Sequence, residues 1–139
     1  MRKSYWLLKT EPEEWSWNDQ IKSGNNGAEW NGIRNFQAAK NLRNMKIGER
    51  CFFYHTGKEK NIVGIIQVIK DAFLDKSDKT KKFVSVKVKA LYPLKRVVNL
   101  KEIKKNKAFK DFSLVRQSRL SVVKVNLKYW KKICKMGKV

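Results

Sequence analysis

A short segment of the sequence brings together side chains that can stack and that can donate and accept hydrogen bonds. It holds Trp30, Arg34, Asn35 and Gln37, and an amphipathic helix is predicted to follow from Phe36. Asn35 can cap that helix, whose first turn carries free N–H groups and a positive dipole. Arg34 adds a full charge and Trp30 a flat face, so the group could bind an anion beside an aromatic ring or base. The alternative is that Asn35 only caps the helix and Trp30 only packs.

A second polar group ends a predicted strand at Tyr54, His55 and Thr56. His55, the one histidine of the chain, could act as an acid or a base near neutral pH. The sequence has no G-x-S-x-G motif and no other recognisable nucleophile motif to accompany it. We therefore favour a polar contact or a structural role for His55 over catalysis, and we predict no catalytic residue.

A third polar group lies between Val115 and Ser121 and combines two guanidinium groups with an amide and hydroxyls. Its members include Arg116, Gln117, Ser118 and Arg119. Arginine is scarce, with 7 arginines against 26 lysines. The positions that do carry arginine are therefore expected to need the flat, bidentate guanidinium group and not only a positive charge. We predict a ligand or phosphate contact here. A turn that leads into a strand is the alternative, but it would explain only the serines.

The net charge of +21 is unevenly distributed along the 139 residues. Residues 1–69 hold 11 Lys/Arg and 7 Asp/Glu, whereas residues 70–139 hold 22 and 5. A basic half favours a polyanionic partner, with nucleic acid ahead of a membrane. The alternative is a compositional bias towards lysine that carries no function.

Several classes of protein are disfavoured by the composition. No apolar run is long enough to span a bilayer, and no signal peptide is recognisable, so we expect a cytoplasmic protein, or a nuclear one in a eukaryotic source. Cys51 and Cys134 form no C-x-x-C pair and are predicted to be buried free thiols. With one histidine and no cysteine cluster, neither a metal site nor a cofactor is expected.

The patterning of the chain predicts one α+β domain over residues 1–139. Strands are predicted at 5–9, 50–56, 62–72, 84–90 and 120–125, with Pro93 ending or bending the fourth of them. Helices are predicted at 17–23, from 36 to about 45, at 100–107 and after a cap at Asn126. Gly64 inside a strand indicates a bulge or a close backbone approach. Trp15 and Trp17 could equally line a wall or fill the core. The expected architecture is a curved, mostly antiparallel sheet or barrel flanked by short helices.

Five ordered motifs give the chain a resemblance to the EVE domain family of the PUA-like superfamily. They are YWLLKTEP, WNGIRNFQA, LRNMKIGE, FFYHTG and LVRQSRLSV, and the resemblance runs from about Tyr5 to Trp130. The family motif usually carries aspartate where this chain has Asn31. The resemblance implies a PUA-like curved β-barrel and a pocket that reads a modified base of DNA or RNA. The residues that it implies for this pocket are Lys9, Glu11, Trp30, Arg34, Asn35, Tyr54, His55, Arg116, Gln117 and Ser118, to which the first polar group adds Gln37.

Three hypotheses follow from the sequence. The first is a nucleic-acid-binding module that reads a modified base. The second is an enzyme that acts on a nucleotide or a small anion, and turnover would favour it. The third is a general nucleic-acid-associated protein, whose affinity would be indifferent to base modification. DNA and RNA are both compatible with the sequence, as are different bases and oligomeric states.

Overall fold

The computed structural model describes residues 3–139, and six strands of this range form one sheet. The strands are β1 (Tyr5–Thr10), β2 (Ala28–Trp30), β3 (Arg50–His55), β4 (Asn61–Leu74), β5 (Val84–Asn99) and β6 (Val122–Val125). The helices are α1 (Trp17–Lys22), α2 (Phe36–Asn44), α3 (Leu100–Lys105), α4 (Ser113–Arg116) and α5 (Leu127–Met136). Single turns of 3₁₀ helix lie at Gly24–Asn26 and Lys107–Phe109.

The strands are ordered β2-β5-β4-β3-β1-β6 across the sheet. β1 and β3 pair in parallel, and the other four neighbouring pairs are antiparallel. The long β4–β5 ladder shifts register several times, and such irregularities bend and twist a sheet. This mixed, mostly antiparallel sheet with short helices confirms the predicted fold class, although β2 and β6 remain edges and the sheet does not close into a full barrel.

Polar caps define where the helices begin. The Ser16 and Asp19 side chains form a reciprocal capping box at the start of α1. Asn35 caps α2 by accepting from the N–H of Ala38, and Asn126 caps α5 in the same manner. The predicted caps at Asn35 and Asn126 are therefore confirmed.

The core lies on both sides of β3, whose residues from Cys51 to His55 are all buried. α5 covers one side, where the rings of Trp130 and Phe52 stack with their centroids 4.0 Å apart. Both cysteines are free thiols, as predicted; Cys51 is buried as expected, whereas Cys134 is only half-buried.

Gly64 allows α1 to lie directly on the sheet. A Cβ at this position would stand 2.5 Å from the Trp17 ring, so only glycine permits the contact. The register of β4 also shifts beside Gly64, which confirms the predicted bulge or close approach.

Pro93 lies opposite Gly64, inside β5, and the strand continues to Asn99 instead of ending near Pro93. Trp17 packs against Phe53 and the core. Of the two interpretations left open for Trp17, a wall or a core residue, the structure supports the core residue.

One strand, β2, and one α-helix, α4, were not predicted from the sequence. The three residues of β2 are too few to show an alternating pattern, and α4 lies in a stretch for which the sequence predicted no helix or strand. Within the described part of the chain, no helix is long and apolar enough to cross a membrane.

Candidate nucleic-acid interface

A cavity of about 640 Å³ opens between the end of β1 and the segment formed by β2 and the loop after it. We call it the main cavity. Its lining consists of Lys9, Thr10, Glu11, Glu14, Trp15, Ala28, Glu29, Trp30, Asn31, Gly32 and Ile33. The volume lies within the usual range for small-molecule sites, about 300–1,000 Å³. A single nucleobase is therefore within its capacity.

Two tryptophans contribute to the walls of the main cavity. Trp30 is only 6% exposed and packs edge-on against Phe53, with ring centroids 5.6 Å apart. Trp15 is half-buried, and its indole N–H donates to the Gln20 side chain at 2.8 Å. Gln20 is fully buried and donates in turn to the carbonyl of Val88. Trp15 is thus held in place from behind, whereas Trp30 is mainly a core residue.

The charge of the main cavity differs from that of the chain as a whole. Three of its lining residues, Glu11, Glu14 and Glu29, are acidic, and Lys9 is the one basic residue among them. Burial lowers the pKa of Lys9 to about 8. In a protein with a net charge of +21, this lining offers more acceptors than cations.

Tyr54 and His55 lie behind the cavity and not in its lining. Burial raises the pKa of Tyr54 to about 12, and the Lys9 ammonium lies 5.6 Å from the centroid of its ring. His55 is 7% exposed, and its Nε2 accepts from the backbone N–H of Trp17 at 3.0 Å. Nδ1 therefore carries the proton of the neutral ring and donates to Glu59 at 3.0 Å. Both ring nitrogens have partners within the protein.

Arg34 is held by the tip of the β4–β5 hairpin. Its guanidinium donates to the buried Asp75 carboxylate at 3.0 Å and to the Ser77 hydroxyl at 3.1 Å. The same Asp75 oxygen accepts from the N–H of Gly32, a residue of the cavity lining, at 2.8 Å. Burial alone would raise the pKa of Asp75, but hydrogen bonds from Ser77, Gly32 and Arg34 lower it to about 2. Arg34 and Asp75 thus fix the rim of the main cavity.

The first and third polar groups of the sequence meet outside the cavity. The side chains of Gln37 and Gln117 exchange two hydrogen bonds, of 3.2 and 3.1 Å, between α2 and the end of α4. The backbone carbonyl of Ser118 accepts from Lys9 at 2.9 Å. Arg116 is exposed, and among residues 3–139 its side chain has no hydrogen-bond or ion-pair partner.

Only three of the residues predicted from the sequence line the main cavity: Lys9, Glu11 and Trp30. The others lie outside its lining; they are Arg34, Asn35, Gln37, Tyr54, His55, Arg116, Gln117 and Ser118. Glu14 and Glu29 were missed, because an exposed glutamate carries no signal in a single sequence. Trp15 belongs to the lining, as one of its two predicted readings stated.

Comparison with protein families identifies the chain. The family model described as "EVE domain" matches residues 4–136. The chain belongs to the EVE domain family. Its resemblance to this family, predicted from five motifs, is thereby confirmed.

Relatives of this EVE domain include curated proteins and solved structures. Thymocyte nuclear protein 1 of Danio rerio is 33% identical over an alignment 151 positions long, which covers 86% of this chain and 65% of that protein. The EVE domain thus spans slightly less than two thirds of that relative. A crystal structure of a protein from Agrobacterium tumefaciens is 39% identical with a TM-score of 0.94, and covers 98% of this chain and 94% of that one. The human THYN1 protein, crystallised in complex with DNA containing 5-methylcytosine, is 28% identical with a TM-score of 0.88, covering 99% of each chain.

Proposed function

We propose that this EVE domain binds a nucleic-acid strand and holds one modified base in the main cavity. The observation that carries the proposal is the composition of the cavity: half-buried Trp15, the desolvated ammonium of Lys9 and a set of carboxylates share one space of about 640 Å³. A base that leaves its stack loses stacking and pairing partners, and the site that receives it must replace both.

Each kind of lining group has a role in this proposal. Trp15 offers the stacking face, since it is held from behind by Gln20. Lys9 donates to an acceptor on the base, such as a carbonyl oxygen. Glu14 or Glu29 accepts from an amino group, which is the pairing that a carboxylate makes with cytosine N4. Phosphates are disfavoured inside the cavity because the carboxylates would repel them.

The backbone of the strand lies outside the cavity in this proposal. Arg116 and Arg119 are exposed beside the Gln37–Gln117 pair, and much of the excess positive charge lies in the second half of the chain. Contacts from such cations to phosphates supply affinity that does not depend on sequence. The DNA complex of the human relative supports a nucleic-acid partner, and its 5-methylcytosine supports a modified base.

The proposal is a single-domain reader and not an enzyme. His55, the one histidine, has both ring nitrogens engaged within the protein, so it is poorly placed to transfer a proton to a ligand. A location in the cytoplasm, or in the nucleus of a eukaryotic source, is part of the same proposal.

A binding panel tests this function. Single strands of one sequence that carry cytosine, 5-methylcytosine, adenine or N6-methyladenine at the central position are compared by fluorescence anisotropy. We expect one modified strand to bind more tightly than its unmodified partner, and the preference to disappear in Trp15→Ala. The same samples are then analysed for altered bases after prolonged incubation. Equal affinity for every strand would contradict base reading, and catalytic turnover would contradict the reader.

A further inference from the structure

Phe36 is the most exposed large apolar side chain within residues 3–139. It is the first residue of α2 and is 73% exposed. A side chain this exposed gains little from burial, so packing gives a weak reason for phenylalanine here. An exposed aromatic ring on a basic protein is, however, suited to base stacking.

The ring of Phe36 is supported from the protein side. Its centroid lies 5.4 Å from that of Phe83, with the two planes inclined by 32°. Phe83 is itself 9% exposed, and the guanidinium carbon of Arg34 lies 5.3 Å from its centroid. Arg34 is fixed in turn by Asp75. The exposed ring of Phe36 is therefore supported from below by an ordered aromatic ring and a guanidinium group.

Two cations share the face of α2 that carries this ring, and the nearby Asp78 carboxylate is bound to backbone groups of the protein. Lys40 follows Phe36 by four residues and Arg43 by seven, which places all three near one face of α2. Arg43 donates to the carbonyl of Lys82 at 2.7 Å, which ties α2 to the segment before Phe83. The Asp78 carboxylate is occupied by the backbone N–H groups of Lys82 and Phe83. The surface around Phe36 is thus complementary to a polyanion.

The position of Phe36 relative to the main cavity fits a neighbouring nucleotide. Gly32 lines the cavity, and Phe36 lies four residues further along the chain. Four residues span at most about 14 Å. Adjacent nucleotides of a stacked strand are about 3.4 Å apart, so a strand with one base in the cavity reaches Phe36 within a few nucleotides.

We propose that Phe36 is a second stacking platform, which receives a base that flanks the one held in the main cavity. This inference rests on the proposed function and extends it to the neighbouring nucleotide. The ligand is an unstacked base of the same strand, and the cations Lys40 and Arg43, on the same face of α2 as Phe36, attract its backbone.

The test compares Phe36→Ala and Phe36→Leu with the unchanged protein on short DNA strands that carry a central 5-methylcytosine. Three strands are used: one intact, and two in which a few successive positions on the 5′ or the 3′ side are abasic. We expect both variants to weaken binding of the intact strand about tenfold, as loss of one stacked base predicts. On one of the abasic strands, variant and unchanged protein should bind equally. Ile47→Ala, at a site that is 58% exposed, is the control and should bind all strands like the unchanged protein.

Other outcomes separate the inference from the function beneath it. Unchanged binding by both Phe36 variants, or equal losses of affinity on all three strands, would overturn the inference. The proposed function would still stand in that case if the unchanged protein preferred 5-methylcytosine over cytosine in the binding panel. Absence of any preference for a modified strand in the binding panel described above would overturn the proposed function and this inference with it. A concentration-dependent dimer that Phe36→Ala abolishes would instead assign the ring to a contact between copies. Phe36→Leu keeps an apolar side chain over Phe83, and its melting temperature verifies that the fold is retained.

Discussion

Lys9 donates a hydrogen bond of 2.9 Å to the backbone carbonyl of Ser118, 109 positions away in the chain. The contact joins the end of β1, where the main cavity begins, to the turn after α4. The lining of the cavity and the turn that carries Arg119 are therefore joined by one half-buried ammonium.

Binding of a modified strand should weaken as the pH rises from 7 to 9. Burial lowers the pKa of Lys9 to about 8, so its ammonium loses its proton in this interval. If the charged form donates to the bound base, affinity should fall by up to about tenfold over the interval. Fluorescence anisotropy at constant ionic strength measures the change.

The control for this prediction is Lys9→Met, which removes the titrating group and keeps an apolar stem. It should bind more weakly at pH 7 and change little up to pH 9. The α-amino group also titrates near pH 8, so a slope that persists in Lys9→Met would assign the effect to another group and refute the role of Lys9.

The two tryptophans of the cavity should respond differently to substitution. Trp30→Ala removes a ring that is 6% exposed and packed on Phe53, so it should destabilise the fold by about 3–5 kcal/mol. Trp15→Ala removes a half-buried ring and should cost less stability while weakening modified-base binding about tenfold. Urea unfolding and anisotropy together measure both quantities. If Trp15→Ala leaves binding unchanged and Trp30→Phe reduces it, the stacking wall is Trp30.

The sequence predicts these walls only in part. Trp30 stood out because it precedes a polar helix start, but its burial follows from its place in β2, and that strand owes its existence to pairing with β5. Three residues have no periodicity of their own, so such a strand is visible only after the sheet is known. The sequence left two equal interpretations for Trp15, a cavity wall or a core residue. Its position depends on a hydrogen bond to Gln20 in the following helix, and no local pattern predicts that contact.

Elements with a strong local signal were predicted well. They depend on nearby residues or on a single missing side chain. Examples are the caps Asn35 and Asn126, the strand that begins at Tyr5 and the close approach at Gly64. The pairing of Arg34 has no such local signal. Its charge suggested a phosphate contact, but its partner Asp75 lies 41 residues away, and nothing local reveals such a pairing.

Asp75→Asn should destabilise the protein by about 2 kcal/mol, because a buried acceptor of several hydrogen bonds loses its charge. It should also weaken modified-base binding, since Gly32 at the cavity rim loses its anchor. The pKa of Asp75 is about 2 when folded, below its ordinary value of 3.8, so its stabilising contribution is present above about pH 4 and is lost as the pH falls towards 2.

Urea titrations between pH 2 and pH 7 verify this sign. The difference in unfolding free energy between the unchanged protein and Asp75→Asn should shrink as the pH falls. Asp111→Asn, at an exposed aspartate, is the control and should show no comparable difference. A gap that stayed constant down to pH 2 would contradict a charged Asp75 as its source.

The exposed arginines after α4 should account for part of the salt dependence of strand binding. Each phosphate contact that is lost should reduce the slope of log affinity against log salt by about 0.7 on single strands. Arg116→Gln and Arg119→Gln should each lower the slope by about this amount and weaken modified and unmodified strands equally, because backbone charge does not distinguish bases.

The control is Arg96→Gln, which makes the same change in net charge at a guanidinium that is already paired with Glu102 at 2.7 Å. If bulk charge alone attracted the strand, all three variants would reduce the slope alike. We expect Arg96→Gln to leave it nearly unchanged, which would separate specific phosphate contacts at Arg116 and Arg119 from the general excess of lysine in the second half of the chain.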